Sequence, residues 1–167
     1  MLFVGWVDEL ASLRIHPRRM STIIQEIREK LARFPDARIE FDDSSITCFP
    51  SSPNGFAVRL AVHPGITQEW YSIHYNGSHE EFDNRHTAIL TFALGLSSGC
   101  RLREYSRMGS AYRWVVDLWE EDKQRWKPDW EIVRFTRPFW LFWRRSTMRC
   151  LQNRLIDLDS GDAAHAA

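Results

Sequence analysis

The side chains best suited to chemistry lie between residues 74 and 86, where His74, His79 and His86 fall close to Glu80, Glu81 and Asp83. On a continuous helix His79, Asp83 and His86 would follow one another at i, i+4 and i+7 on one face, and with His74 nearby they could ligate a metal ion. Such a cluster would suit a small metal-assisted hydrolase. The spacing is not HExxH, however, and Glu81 and Asp83 serve equally well as carboxylates at a helix N-terminus, where unsatisfied amides favour negative charge.

Covalent catalysis needs a nucleophile held by an oriented base. Ser, Cys, His and Asp are all present, but no GxSxG or similar frame surrounds any of them. Cys48 falls in an expected strand and Cys100 follows Gly99 at an expected helix end, positions typical of buried, inert thiols. Neither GxGxxG nor GxxxxGK[ST] occurs, so no phosphate-cradling loop is encoded. No resident cofactor is implied.

The most unusual stretch is 101–154. Here Arg101, Arg103, Arg107, Arg113, Arg125, Lys127, Arg134, Arg137, Arg144, Arg145, Arg149 and Arg154 interleave with Trp114, Trp119, Trp126, Trp130, Trp140 and Trp143. Rings that stack and guanidinium groups that hold phosphates are the equipment of single-stranded nucleic-acid binders. Residues 101–154 carry 13 Lys/Arg against 7 Asp/Glu, whereas 1–100 carry 9 against 12. The whole chain is neutral, with a pI near 7.0, which speaks against a dedicated nucleic-acid domain. Within this stretch, Pro138 to Arg145 reads PFWLFWRR, with more apolar surface than one helical stripe needs. The domain's own sheet, a second copy or another protein would have to cover the excess. Trp140, Trp143, Arg144 and Arg145 are the candidate partner-binding residues, because Trp and Arg anchor protein interfaces.

The elements that would position these residues follow from periodicity. Ile23, Ile24, Ile27 and Leu31 repeat at helical spacing after Ser21, a capping residue, and Pro35 ends the run. The period then becomes two: 39–41 and 46–49 form a hairpin, Phe56–Val62 alternates cleanly, and Trp70–Tyr75 ends at Asn76-Gly77. A capping box at Ser78 and Glu81 (with Asp83 as a rival cap) predicts a second helix, apolar at Ala88, Ile89, Phe92, Ala93 and Leu96. Strands at 102–105, 112–119 and 130–135 follow, then a last helix from Phe139 to about Leu155, with Pro138 in its first turn.

The predicted fold is α+β in two layers: an antiparallel sheet of six or seven strands packed against helices, in the order α-β(3-4)-α-β(3)-α. Length and composition, with 44% apolar and 26% charged residues, suit one domain over 1–156, followed by a small, acidic, disordered tail at 157–167. Three widely spaced cysteines make no disulfide framework, no signal-peptide pattern opens the chain, and no apolar run is long enough to span a bilayer. A cytoplasmic location is expected. Over residues 20–154 the element order resembles that of the small secretion chaperones, which bind unfolded effector segments as homodimers; the resemblance lies in order alone and brings no residues with it. The expected function is a non-catalytic binding or adaptor protein, chaperone-like, for a protein or peptide partner, and possible as a homodimer.

Overall fold

A computed structural model describes residues 21–133 and 143–156. Helix α1 (Thr22–Leu31) leads into β1 (Ile39–Phe41), β2 (Ser45–Cys48), β3 (Val58–His63), β4 (Trp70–Tyr75) and β5 (Ser78–Phe82). Helix α2 (Arg85–Leu96) follows, then β6 (Cys100–Arg107), β7 (Ser110–Glu120), a 3-10 turn at Glu121–Lys123, β8 (Arg125–Val133) and β9 (Thr147–Gln152). All strand pairing is antiparallel, in two sheets: a first of order β1-β2-β3-β4-β5 and a second of order β8-β7-β6-β9.

Two sheets replace the single sheet expected, and two α-helices, among the described residues, replace three. The correction has two local causes. Asn76 (φ 44°) and Gly77 (φ 102°) form a tight left-handed turn, so the chain doubles back and Ser78–Phe82 pairs with β4 as a strand. Ser78 caps nothing helical. Its hydroxyl donates to Tyr75 O, and the cap of α2 is Asn84, whose Oδ1 accepts from Thr87 N. At the other end, Thr147–Gln152 lies along β6 as β9, with Leu151 buried opposite Leu102, where a helix to Leu155 was expected. Phe139–Phe142 and the tail 157–167 lie outside the described residues. With β9 standing where part of the closing helix was expected, the element order behind the likeness to secretion chaperones is not found among the described residues.

Other expectations hold. Ser21 occupies the N-cap of α1, although its side chain makes no capping bond, and Ile23, Ile24, Ile27 and Leu31 are all buried. They join Ile46, Val58, Leu60, Ile73, Phe92 and Leu96 from the first sheet and α2 in one core. Leu102, Trp114, Val116 and Leu151 of the second sheet belong to the same core. Tyr75 sits where the parts meet. Its ring stacks on Trp130 (5.6 Å) and meets Phe56 edge-on (5.4 Å), while its hydroxyl donates to Thr91 O (2.6 Å).

Two polar residues tie the sheets together. Asn153 accepts from Phe56 N and donates to Phe56 O and Gly95 O, joining the chain after β9 to α2 and to the start of β3. Glu104 is buried on β6 and accepts from Asn76 Nδ2 (2.8 Å), Trp114 Nε1 (3.2 Å) and Arg149 Nε (2.8 Å). Three donors satisfy a carboxylate that would otherwise be costly to bury.

Candidate functional site

Side chains alternate across the strands of the second sheet, so the register assigns its outer face. In one row stand Met148, Tyr105, Arg113 and Val133; in the next, Cys150, Arg103, Val115 and Glu131. Gln152, Arg101, Asp117 and Pro128 form a third row, and Trp119 faces Trp126 beyond it.

Asp117 organises this face. Its side chain is 1% exposed and is gripped by Arg103 in a two-point fork (Nη2–Oδ1 2.6 Å, Nε–Oδ2 2.7 Å) and by Arg101 Nε (2.8 Å). Planar guanidinium and carboxylate groups match in this geometry, which is the strong form of the ion pair. The hydrogen bond to Asp117 raises the Arg103 pKa still further above its usual range. Arg103 also donates to Tyr105 Oη (3.0 Å), and Arg113 lies over the Tyr105 ring while pairing with Glu131. Arg101 lies over Trp126, which meets Trp119 edge-on. Arg107 covers Tyr112, and Glu120 gathers Lys123, Arg125 and Lys127. The Arg–Trp interleaving noted in the sequence is therefore largely an internal lattice. Most of the guanidinium groups within it face carboxylates and rings of the same chain.

At one end of this lattice the surface turns apolar. Met108, at the β6–β7 turn, Val133, Trp143 and Met148 are exposed there, and Trp143 is the most prominent ring at 60%. Of the partner-binding candidates, Trp143, Arg144 and Arg145 lie in the exposed turn entering β9, anchored where Ser146 Oγ meets Tyr112 Oη (3.0 Å). Trp140 lies outside the described residues.

The histidine cluster takes a different form from the one expected. His79 is on β5, Asp83 is in the following turn and His86 is in the first turn of α2, so the three do not share a helical face. Among the described residues no three His, Cys, Asp or Glu side chains are grouped so as to hold a metal. Sequence spacing did not reveal what the outer face of the first sheet brings together. Ser72 Oγ lies 2.8 Å from His63 Nε2 and 3.0 Å from His74 Nε2; Trp70 stacks on His63 at 3.8 Å, and His79 faces His74 at 5.3 Å. Burial lowers the pKa of both His63 and His74, and the neighbouring His79 lowers that of His74 further. Ser72 has a single hydroxyl proton to give, so it donates to one Nε2 while the other ring donates its Nε2–H to Oγ. Ser72 itself is 2% exposed, which leaves no approach for a substrate carbonyl and makes the trio a structural relay. Strand alternation at His63, Trp70, Ser72 and His74 was the signal available for it.

Compared with known proteins, the chain matches no family model, no curated protein and no solved structure. No helix among the described residues is long and apolar enough to cross a membrane.

Proposed function

We propose that this chain is a non-catalytic binding module that docks a protein or peptide against the second sheet, at the end where β9 begins. One observation carries the proposal: Met108, Val133, Trp143 and Met148 are each exposed at or near one end of the second sheet, whose outer face is otherwise locked by ion pairs. Trp, Met and Arg are the residue types over-represented at interfaces. A rigid base lowers the ordering cost that a partner must overcome. Binding of single-stranded nucleic acid is less favoured, because the guanidinium groups of Arg101, Arg103, Arg113 and Arg125 are already matched to Asp117, Glu131 and Glu120.

Selection from a displayed peptide library on the purified chain tests the proposal. Clones that bind should lose at least about tenfold in affinity to the double variant Trp143→Ala/Met148→Ala, the usual cost of removing interface anchors. The thermal midpoint should stay within a few degrees of the parent, since both side chains are exposed. Clones that bind the variant equally well would show that this end of the sheet is not the docking surface.

A further inference from the structure

We infer that the docked partner is an extended acidic segment that adds to the second sheet as a fifth strand beside β9. The inference rests on the docking surface proposed above and identifies what occupies it.

Backbone geometry comes first. β9 is an edge strand, and its residues direct their N–H and C=O groups alternately toward β6 and away from it. Gln152 N donates to Asn54 O, a residue of the β2–β3 connection, so the Gln152 amide points away from β6. The β7 side gives the same parity: Trp119 N donates to Gly99 O, so Gly99, Arg101, Arg103 and Tyr105 face β7, leaving Leu102 and Glu104 to face Leu151 and Arg149. Met148 and Cys150 therefore turn their backbone groups outward. Asn54 occupies the Gln152 end, and from Met148 to Cys150 no strand pairs with this edge among the described residues. The opposite edge is different: β8 carries Pro128 and a bulge at the Val116–Asp117 register shift, both devices that spoil strand addition.

Charge then selects the occupant. Residues 143–156 contain Arg144, Arg145, Arg149 and Arg154 and no Asp or Glu. Arg149 is held by Glu104, while the other three form no ion pair among the described residues. A second copy pairing β9 to β9 would bring these arginines together, and like charges across a strand pair are unfavourable. An acidic strand is the complement. Met148 and Cys150 lie on the outer face, so the matching segment alternates small apolar residues, set beside them, with acidic ones, whose counterions are Arg144 and Arg145 at the entry to β9.

The probe is a capped peptide alternating Glu and Val over about eight residues, somewhat longer than an average strand. Titrated by fluorescence anisotropy, it should bind the parent chain. Its affinity should fall several-fold as ionic strength rises from about 0.05 M to 0.5 M, and a Lys-Val counterpart should not bind. Met148→Pro and Cys150→Pro each remove an outward N–H without breaking the ladder to β6, and should weaken binding at least about tenfold, Cys150→Pro doing so where Cys150→Ala does not. If a proline variant is poorly folded, N-methylation of alternate peptide amides asks the same question of the intact protein: one of the two methylation registers should abolish binding.

Equal binding to the proline variants together with indifference to N-methylation would overturn the inference, as would failure of the Glu-Val peptide to bind at all. If library peptides still depend on Trp143 and Met148 in that case, the docking surface stands and only the strand addition falls. A concentration-dependent dimer abolished by Met148→Pro would assign the edge to a second copy. Tighter binding of oligothymidine than of the peptide, competing at this edge, would assign it to nucleic acid. Either result overturns the acidic segment.

Discussion

Asp117 shows how much of the second sheet depends on one side chain. A carboxylate out of contact with water is tolerable only while its charge is answered, and Arg101 and Arg103 answer it with three short hydrogen bonds. Asp117→Asn keeps the shape but removes the charge, leaving two guanidinium groups crowded without a counterion. Both arginines keep about a quarter of their surface in water (27% and 25%), so hydration recovers part of the loss. The cost should therefore be about 3 kcal/mol, the lower end for breaking a buried pair. Urea denaturation should show it as a lower midpoint at unchanged slope. Replacing both members, Asp117→Leu with Arg103→Met, should be less damaging than the two single changes added together, because no half of the pair is stranded. Strict additivity would mean that Asp117 matters for packing and not for charge.

At the scale of elements, the Asn76-Gly77 turn decides the topology of the first sheet. Its backbone needs positive φ at both residues, and Gly77, at 102°, lies where a side chain is strained. A Cβ there would meet Trp114 only at ordinary contact distance, 3.5 Å, so Gly77→Ala tests backbone strain almost alone. A loss of about 1–2 kcal/mol is expected; a change near zero would show that the turn relaxes freely. The same turn explains what could be read from the sequence. Helix α1, β3 and the β4 turn were legible because their apolar periods are long and undisturbed. Ser78 and Glu81 have the spacing of a capping box and also suit a short strand, and Asn-Gly, the stronger hairpin signal, marks a reversal of the chain and not only the end of β4. The helix expected across Phe139–Leu155 relied on apolar residues separated by Arg144, Arg145, Ser146 and Thr147, a gap no helical stripe tolerates well. β9 exists because β6 presents Leu102 and Glu104 to a neighbour, a long-range demand invisible to local spacing. The candidate site divides in the same way. Trp143, Arg144 and Arg145 stood out by composition, whereas Asp117, Glu104 and the Ser72 relay gain meaning only from partners on other strands.

For the molecule as a whole, the question is whether two sheets behave as one folding unit. Tyr75 touches Phe56 in the first half of the chain and Trp130 in the second, Asn153 bridges the halves through two hydrogen bonds with Phe56, and Glu104 through one from Asn76. A core built from both sheets cannot be exposed on one side without uncovering the other, so one cooperative transition is expected. The cysteines report on this directly. Cys48 is buried in β2, its pKa pushed up to about 11 by burial, and Cys100 is buried at the start of β6, pushed up to about 12; Cys150 is exposed on β9. At pH 8 a thiol reagent should label Cys150 in the native protein within minutes, since a thiolate must form and be reached. Cys48 and Cys100 should stay protected until urea unfolds the chain and then become reactive at the same concentration. Mass spectrometry of each peptide across a urea series separates the three sites. Release of Cys100 well before Cys48 would divide the chain into a loosely held second sheet and a more stable first one, and the bridging bonds of Asn153 and Glu104 would then count for little in stability.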